Sequence, residues 1–446
     1  MKANHSQKQS IFSLTWPLFI DFALHFLTGA INTFMISHVS YQGVAALAVG
    51  NQVFHLAITL FSFVTIGASV VITQYLGAKN KEAAQSVVYS SIGFNVCLGA
   101  VAAFGIIAGA GTILTLMNLP SELLADGKMY LQIIGLCLLP EAVAMCLAAA
   151  MRAHGFTLQA MWVTLVMNLI TFVGNLFLLY GWFGIPQMGV AGVAISTAVG
   201  RVIGMAIMAA LFVKYTGIHL YWSAIVKPQK YYLQKVFKIG LPAAGENVSW
   251  MLQFMVVTAF VGLMGDKALA AQSLYFQTCM FILLFGLSIG IANEIIVGHL
   301  VGAKDYQAAE SQMYRSLKIG FIVTSIVAAF AAIFGTDLVV LFTQDAEIIV
   351  MVSQLFMITL FMEPGRTFNL VVINALRASG DAHYPFYVGL CSMWCIAVPC
   401  AYLFGIVLDY GLVGVWLALA IDEWTRGLAM LWRWRTGRWK TKSLVV

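Results

Sequence analysis

Residues 44–75 read VAALAVGNQVFHLAITLFSFVTIGASVVITQY, and this run contains no Asp, Glu, Lys or Arg. About 20 mostly apolar residues are enough for a helix to cross a lipid bilayer. The whole chain shares this bias, because only 9% of its 446 residues are charged and 61% are hydrophobic. A soluble domain carries roughly a quarter charged residues. The composition therefore excludes a soluble enzyme, a disordered chain and a nucleic-acid-binding protein, and it predicts a membrane protein with many spans.

Apolar runs of this kind recur along the chain, separated by short polar segments. They cover residues 11–37, 44–75, 86–117, 127–151, 158–181, 189–213, 232–264, 268–298, 313–342, 347–375, 384–408 and 411–435. A transmembrane barrel would instead show strands of about ten residues with alternating polarity. We therefore predict an all-α integral membrane protein of 12 transmembrane helices. No small-residue cleavage site precedes run 11–37, so this run is predicted to span the membrane and not to be a removed signal peptide.

The basic residues are distributed unequally between the two predicted sides of the membrane. With the N-terminus on the cytoplasmic side, that side receives 20 of the 24 Lys and Arg residues, and the other side receives only Lys128 and Lys267. Cytoplasmic loops of membrane proteins are enriched in Lys and Arg, so both termini are predicted to be cytoplasmic. Two arginines fall inside predicted spans, Arg201 and Arg366. The cytoplasmic set includes Arg152, Arg377 and Arg426.

The two halves of the chain resemble each other at one constant spacing, which places Pro17 on Pro242 and which we call the repeat offset. At this offset Gly77-Ala78-Lys79 matches Gly302-Ala303-Lys304, and this match is informative because hydrophobicity does not force loops to resemble each other. Further matches pair Gln52 with Gln277, Tyr89 with Tyr314, Arg152 with Arg377 and Gly155 with Gly380. The repeat offset predicts a duplicated unit of six helices.

An even number of spans in each half means that both halves start from the same side of the membrane. Parallel repeats of this kind are related by an axis along the membrane normal and are typical of transporters. We predict an N-terminal six-helix bundle at 1–213, a cytoplasmic linker at 214–231, and a C-terminal six-helix bundle with a basic cytoplasmic tail at 232–446. The duplication favours a transporter over a channel or a receptor.

These features resemble the multidrug and toxic compound extrusion (MATE) family. The resemblance rests on the Gly77-Ala78-Lys79 loop and its copy, the stretch Leu376-Arg377-Ala378-Ser379-Gly380-Asp381, the early prolines and the layout of six plus six spans. It implies a multi-pass protein of the bacterial inner membrane that exports cationic, aromatic compounds in exchange for H⁺ or Na⁺. Flippases of lipid-linked oligosaccharides belong to the same superfamily, so a lipid-linked precursor or a metabolite remains an alternative cargo.

The first predicted span carries its polar residues on one face. Asp21, His25, Thr28 and Asn32 lie within a stripe about 60° wide if each residue advances the helix by about 100°. Ionisable residues inside spans are functional candidates by default, and a carboxylate close to a histidine can exchange a proton. We predict Asp21 and His25 as proton-coupling residues and Pro17 as a helix hinge. The alternative is a structural role, in which the stripe only ties neighbouring helices together.

The MATE resemblance also implies where this chain departs from the family. It places Asn32 where helix 1 of the family usually carries an ion-coupling Asp, and Asn does not titrate. Asp21 therefore takes the coupling role in our prediction. The resemblance places Arg366 near a position that is usually acidic, which argues against a Na⁺ site there.

The second half repeats the arrangement of the first. Glu246 follows a proline by four residues, as Asp21 does. The tenth run adds Glu363 and Arg366 on one helix face. We predict Glu246, Glu363 and Arg366 as coupling residues, joined by a Glu246–Arg366 or a Glu363–Arg366 ion pair. A static pair that fixes two helices is an equally good interpretation.

Further polar residues inside the spans are predicted to line a substrate cavity. They are Asn32, Glu141, Asn168, Asn175, Gln253 and Asn369. For Asn168 and Asn175, hydrogen bonding between helices is an equal alternative. Glu141 and Arg366 occupy equivalent positions of the repeat, so the two halves carry opposite charges there. Four more residues lie nearer the predicted cytoplasmic ends, where we expect them to be solvated or to cap helices: Asn293, Glu294, Asp422 and Glu423.

Taken together, the sequence predicts a secondary active exporter in which protons enter through buried carboxylates and an organic cation leaves by alternating access. The chain has no Walker A loop, Ser/His dyad or His/Cys motif at metal-ligand spacing, so no enzymatic activity, cofactor or metal is expected. The expected partners are small organic substrates, H⁺ or Na⁺ and the lipid bilayer, without nucleic acid. The protein is expected to be a monomer.

Overall fold

Helix is the main secondary structure of the protein, as expected for a chain of long apolar runs. The computed structural model describes residues 10–39, 41–181, 184 and 186–445, and none of these residues forms a β-strand. A segment in lipid must satisfy its backbone N–H and C=O groups internally, which an apolar run achieves as an α-helix. The predicted all-α fold class is confirmed.

The helices of the first half follow the predicted runs closely. They are α1 (Ile11–Ser37), α2 (Tyr41–Gly77), α3 (Lys81–Leu116), α4 (Leu124–Leu136), α5 (Leu138–Ala153), α6 (Thr157–Leu178) and α7 (Gly189–Thr216). A 3₁₀ turn, Ser121–Leu123, precedes α4.

The second half begins with a one-turn helix and continues with long helices. They are α8 (Trp222–Ile225), α9 (Lys230–Gly262), α10 (Asp266–Gly302), α11 (Tyr306–Val340), α12 (Ala346–Ala378), α13 (His383–Ser392), α14 (Val398–Tyr402) and α15 (Gly411–Arg435). Two π-helical turns, Met393–Ala397 and Leu403–Val407, flank α14, so the segment from α13 to the second turn remains helical throughout.

Nine helices among the described residues are long and apolar enough to cross a membrane, and α4 with α5 forms a tenth candidate bent by 43°. Pro140, in the first turn of α5, has no N–H to bond the carbonyl four residues earlier, which explains the break. The run predicted at 127–151 is therefore a bent pair and not one continuous helix. The remaining predicted runs are α9 and α15, which carry four and five charged residues. The count of twelve spans stays a prediction.

The loops that match in the repeat also share their backbone conformation. Lys79 and Lys304 have positive φ angles of 60° and 61°. The residues that follow them, Asn80 and Asp305, cap α3 and α11 by accepting a hydrogen bond from the backbone N–H three residues later. The duplication inferred from sequence is therefore present in local structure.

The chain forms two compact units. The N-terminal unit contains Ile20–Ile72 and Asn80–Gly240, and the C-terminal unit contains Leu241–Val446, Thr73–Lys79 and the start of α1 up to Phe19. The N-terminal unit has an apolar core around Phe54, Phe61 and Tyr130. The C-terminal unit has one core around Tyr275, Phe356 and Trp416 and another around Trp434 and Trp439. The boundaries predicted at 213 and 232 stay predictions.

The basic tail after α15 packs against the C-terminal unit. Trp439 is fully buried and stacks on Trp434 with ring centroids 4.1 Å apart. The backbone N–H of Leu444 donates a hydrogen bond of 2.8 Å to Oε1 of Gln74, whose Nε2 donates one of 2.6 Å to the carbonyl of Ala378. The tail thus fixes the end of α2 within this unit.

Two glycines allow the ends of α2 and α10 to meet within the C-terminal unit. Gly77 lies against the backbone carbonyl of His299, and Gly302 lies against the backbone carbonyl of Gln74. The repeat offset relates the first contact to the second. A Cβ atom at either glycine would overlap the facing carbonyl oxygen, so only glycine fits at this crossing.

We expect Gly302→Ala to lower the thermal melting temperature of the detergent-purified protein, because the added methyl group must push α10 away from α2. The cost of such overpacking is about 1–3 kcal/mol. The matched control is Gly105→Ala, since a Cβ there meets no atom within 4 Å. Alanine in place of an exposed helical glycine should leave the melting temperature unchanged or raise it slightly. Equal effects of the two substitutions would contradict the close contact.

Candidate functional site

Each compact unit holds an ion pair between a buried carboxylate and an arginine. In the N-terminal unit, Arg152 Nη1 lies 3.4 Å from Asp21 Oδ2. In the C-terminal unit, Arg377 Nη2 lies 2.8 Å from Glu246 Oε2. The repeat offset relates the two carboxylates to each other, and it also relates the two arginines. The repeat therefore extends from the helices to one specific charged contact.

Asp21 is a buried carboxylate with one oxygen that accepts no hydrogen bond. Only 2% of its surface is exposed, and its Oδ1 has no hydrogen-bond partner among the residues that the structure describes. His25 Nε2 lies 3.9 Å from Oδ1, and half of the histidine side chain is exposed. A carboxylate oxygen without a donor can take a proton without losing an existing hydrogen bond. The structure thus brings Asp21 and His25 together and adds Arg152 as a third member.

Arg152 and Arg377, which the charge count placed on the cytoplasmic side, are mostly buried in ion pairs. They lie in the last turns of α5 and α12, and their side chains are 24% and 11% exposed. The long side chain of arginine lets a residue near a helix end reach a buried carboxylate. Their match in the repeat was the sequence signal that could have identified them as functional candidates.

Glu246 and Arg366 do not form the ion pair that we considered for them. Arg366 Nη1 lies 2.7 Å from Oε1 of Glu363, one turn earlier on α12. Arg366 Nε also lies 3.5 Å from Glu423 Oε1 on α15. Of the two predicted alternatives, the Glu363–Arg366 pair is the one present.

Arg366 belongs to a larger group of buried charges, which we call the C-terminal charge cluster. Its members are Glu363, Arg366, Asp422, Glu423 and Arg426. Arg426 Nη2 lies 2.9 Å from Asp422 Oδ2 and 3.0 Å from Glu423 Oε1. Three carboxylates and two guanidinium groups leave one net negative charge when all are ionised. Neutral donors complete the cluster, with Asn369 at 3.0 Å from Glu423 and Ser392 at 2.5 Å from Asp422.

The expectation that the acidic residues near the helix ends are solvated or capping was wrong. Asp422 and Glu423 are 1% and 6% exposed and paired with arginines. Arg426, which the charge count placed on the cytoplasmic side, is only 4% exposed and lies within α15. Asn293 and Glu294 are also buried, and Asn293 donates a hydrogen bond to the carbonyl of Val371. Asp422 and Glu423 precede Arg426 by four and three residues, and this spacing was the missed signal, since such residues meet on a helix.

The N-terminal unit contains a second buried ion pair, between Glu141 of α5 and Arg201 of α7. The Arg201 guanidinium also lies 4.6 Å from the ring centroid of Phe54, which is a cation–π geometry. The side chains of Glu141 and Arg201 are 10% and 16% exposed. Glu141, predicted to line a cavity, therefore has its charge balanced by a neighbouring helix.

This pair has a counterpart of reversed sign in the C-terminal unit. Glu141 and Arg366 are equivalent under the repeat. Both α7 and α15 begin at a glycine of positive φ, 53° and 56°, and Arg201 and Glu423 each lie twelve residues after that glycine. Counted from these glycines, the Glu141–Arg201 pair of one unit corresponds to the Arg366–Glu423 contact of the other with the two charges exchanged, whereas the repeat offset itself places Arg201 on Arg426.

The C-terminal charge cluster borders a small cavity of about 20 Å³, which has room for about one water molecule. Its lining combines aromatic and charged side chains: Trp250, Gln253, Phe254, Phe276, Met362, Arg366, Trp416, Leu419, Asp422, Glu423 and Arg426. Gln253, predicted to line a cavity, lies in this lining. Asn369 adjoins the cavity through its hydrogen bond to Glu423. Aromatic rings and one excess carboxylate therefore surround this small space.

The predicted amide residues of the N-terminal unit connect α1 to α6. Asn175 Nδ2 donates a hydrogen bond of 2.7 Å to Asn32 Oδ1, and Ser196 on α7 donates one to Asn175 Oδ1. Asn168 Nδ2 donates to the carbonyl of Leu24 at 3.1 Å. These hydrogen bonds join neighbouring helices, which was the alternative interpretation of Asn168 and Asn175. Their role in lining a substrate cavity stays a prediction.

Pro17 lies inside α1 and its repeat counterpart Pro242 lies inside α9. Each helix continues past its proline, and each proline precedes the paired carboxylate of its half by four residues. A proline removes one backbone hydrogen bond from the helix, which locally weakens it. The predicted hinge role of Pro17 remains untested.

The family of the chain follows from its sequence and agrees with this geometry. The sequence model of the MatE family matches residues 17–177 and 242–403. The chain belongs to the MatE family. The two matched segments begin at Pro17 and Pro242, which the repeat offset pairs. The family unit is therefore the repeat identified from the loops, and the chain is a multi-pass membrane transporter of the MATE type.

Related proteins cover nearly the whole chain. The uncharacterized transporter YisQ of Bacillus subtilis is 40% identical over 435 residues, which are 98% of this chain and 96% of that protein. The probable multidrug resistance protein NorM of Thermotoga maritima is 24% identical over 98% of this chain and 94% of its own length. A crystal structure of MATE in the bent conformation has a TM-score of 0.87 at 20% identity, covering 97% of this chain and 96% of that one. This structural likeness shows the fold.

Proposed function

We propose that the chain is a secondary active multidrug exporter that moves organic cations out of the cell in exchange for protons. The observation that carries the proposal is Asp21, a buried carboxylate with one oxygen lacking a hydrogen-bond donor among the described residues and a half-exposed histidine beside it. Membership in a transporter family supports the type of activity. Relatives named as multidrug resistance proteins support the class of substrate.

The proposal includes the arrangement predicted from sequence. Twelve spans form two six-helix bundles, at 1–213 and 232–446, with a cytoplasmic linker at 214–231 and both termini in the cytoplasm of a bacterial cell. The protein works as a monomer, and access to the substrate alternates between the two sides of the inner membrane. The duplicated loops and ion pairs support this arrangement.

Coupling in this proposal depends on the two repeat-related ion pairs. When Asp21 takes up a proton, its attraction to Arg152 is lost and the end of α5 is released from α1. Loss of the proton restores the attraction. His25, half exposed and 3.9 Å away, is positioned to carry the proton to Asp21. Glu246 and Arg377 form the equivalent switch, and Glu363 with Arg366 extends it to the cavity.

The chemistry of the residues that line the cavity of the C-terminal unit supports the proposed substrate class. Aromatic rings next to a site with one excess negative charge attract flat organic cations through packing and cation–π contact. Trp250, Phe254 and Trp416 supply the rings, and Asp422 and Glu423 supply the negative charge. A proton and a cationic substrate then compete, because the carboxylates favour a cation only when they are ionised.

Transport of a fluorescent organic cation into inverted membrane vesicles tests the proposal. We expect an acidic vesicle lumen to drive uptake, and a sodium gradient without a pH gradient to leave uptake at the level of vesicles that lack the protein. Sodium-driven uptake would overturn the choice of proton as coupling ion. No uptake with either gradient would contradict cation export and favour the lipid-linked precursor or metabolite as cargo.

A further inference from the structure

The segment that joins α7 to α9 is held firmly against α3. We call residues 214–238 the linker surface. Tyr89 of α3 donates a hydrogen bond of 2.5 Å to the carbonyl of His219. Ser90 of α3 accepts one of 3.0 Å from the backbone N–H of Gln229. Ile225 of α8 is buried, and Gly93 gives its backbone room to approach α3. The outward side of this segment is therefore fixed in position.

That outward side is rich in exposed aromatic residues. Tyr221, Trp222 and Tyr231 are 57%, 67% and 59% exposed. The linker surface begins at the end of α7, and α7 is long and apolar enough to span the membrane. The linker surface therefore lies where α7 is expected to leave the bilayer. Trp and Tyr are enriched at this level, because their rings have both apolar and polar parts.

The charges of the linker surface are all of one sign. Lys214, Lys227, Lys230, Lys235 and Lys238 lie in it, and no Asp or Glu occurs between Glu141 and Glu246. The first turn of α3 contains one acidic residue, Glu82, and the basic residue Lys81 directly precedes it. The basic residues around α10 and α11 differ, because Asp305 and Glu310 lie among Lys304, Arg315 and Lys318.

We propose that the linker surface binds the headgroups of anionic phospholipids, with Trp222 and Tyr221 inserted among the acyl chains next to them. Clusters of basic residues beside a span attract anionic lipid. Exposed Trp and Tyr rings are stable at the bilayer surface, because their apolar part can contact the acyl chains while their polar part stays among the headgroups. A bilayer surface offers both, whereas a soluble polyanion offers only the charge. The linker surface thereby fixes α3 and the start of α9 at the membrane boundary.

Lipid binding by the detergent-purified full chain tests this proposal without any transport measurement. The probes are short-chain phosphatidylglycerol and phosphatidylcholine, and the readout is hydrogen–deuterium exchange at 214–238. We expect phosphatidylglycerol to protect this segment and phosphatidylcholine to leave it unprotected. In the triple variant Lys227→Gln, Lys230→Gln, Lys238→Gln, the phosphatidylglycerol concentration that gives half-maximal protection should rise at least about tenfold.

The matched control is Lys304→Gln, Arg315→Gln, Lys318→Gln, which removes three exposed cations from the segment around α10 and α11, where acidic residues lie among the basic ones. This control should retain wild-type protection at 214–238. Glycerol phosphate without acyl chains should give no protection. Equal protection by phosphatidylcholine, equal protection by glycerol phosphate, or an unchanged response of the first triple variant would each overturn the proposal.

Discussion

Asp21→Asn is expected to reduce substrate-driven proton release from proteoliposomes to the level of liposomes without protein. Asn cannot bind and release a proton, and in the proposed mechanism no other group of the N-terminal unit replaces Asp21. The substitution keeps the size of the side chain, so substrate binding in the C-terminal cavity should persist. A pH-sensitive dye outside the vesicles measures the proton release after a cationic substrate is added.

His25→Gln is the matched control on the same helix face. His25 is half exposed and its Nε2 lies 3.9 Å from Asp21, so its loss should slow proton release without abolishing it. If His25→Gln and Asp21→Asn abolish release equally, the two residues act as one unit. If Asp21→Asn leaves release unchanged, the coupling role of Asp21 is wrong.

The effect of Asp21→Asn on coupling must be separated from its effect on stability. The single substitution leaves Arg152 as a buried charge without its partner, and breaking a buried pair in this way costs about 3–5 kcal/mol. A second substitution, Arg152→Met, removes the orphaned charge and should restore much of the thermal stability. The double variant should still release no protons. Recovery of proton release together with stability would assign the pair a purely structural role.

The sequence alone predicted the duplication and the positions of four buried carboxylates, Asp21, Glu141, Glu246 and Glu363. Periodicity placed Asp21 and Asn32 on one face, and the repeat offset related Glu246 to Asp21. These features are local or depend only on comparing the chain with itself. The bend between α4 and α5 was also within reach, because Pro140 is visible in the sequence.

The partners of the charged residues could not be predicted in the same way. Arg152 lies 131 residues from Asp21, and its contact depends on the packing of α5 against α1 and on the direction of a long flexible side chain. The same holds for Arg377 and Glu246. Asp422 was misjudged because its depth was estimated from distance to the helix end, although α15 is still buried at that level.

The reversed charge pairs permit a second prediction with a large effect. Glu141→Arg alone would bring two guanidinium groups together in the N-terminal unit, and Arg201→Glu alone would bring two carboxylates together. Each single variant should lose at least as much stability as a broken buried pair, about 3–5 kcal/mol. Melting of the detergent-purified protein, followed by light scattering, measures the loss.

The double variant Glu141→Arg, Arg201→Glu recreates the arrangement that Arg366 and Glu423 have in the C-terminal unit. We expect it to recover most of the melting temperature lost by either single variant. Recovery should be incomplete, because Arg201 gives up its cation–π contact with Phe54, and such a contact contributes about 0.5–2 kcal/mol.

The same exchange in the C-terminal unit should not be rescued. In the native protein the guanidinium of Arg366 lies 2.7 Å from Glu363, so Arg366→Glu places two carboxylates next to each other. Glu423 contacts Arg426, so Glu423→Arg places two guanidinium groups next to each other. The double variant repairs the contact between positions 366 and 423 but leaves both new like-charge contacts in place. Rescue in the N-terminal unit without rescue in the C-terminal unit is therefore expected. Equal rescue in both units would show that Glu363 and Arg426 contribute little to the C-terminal charge cluster.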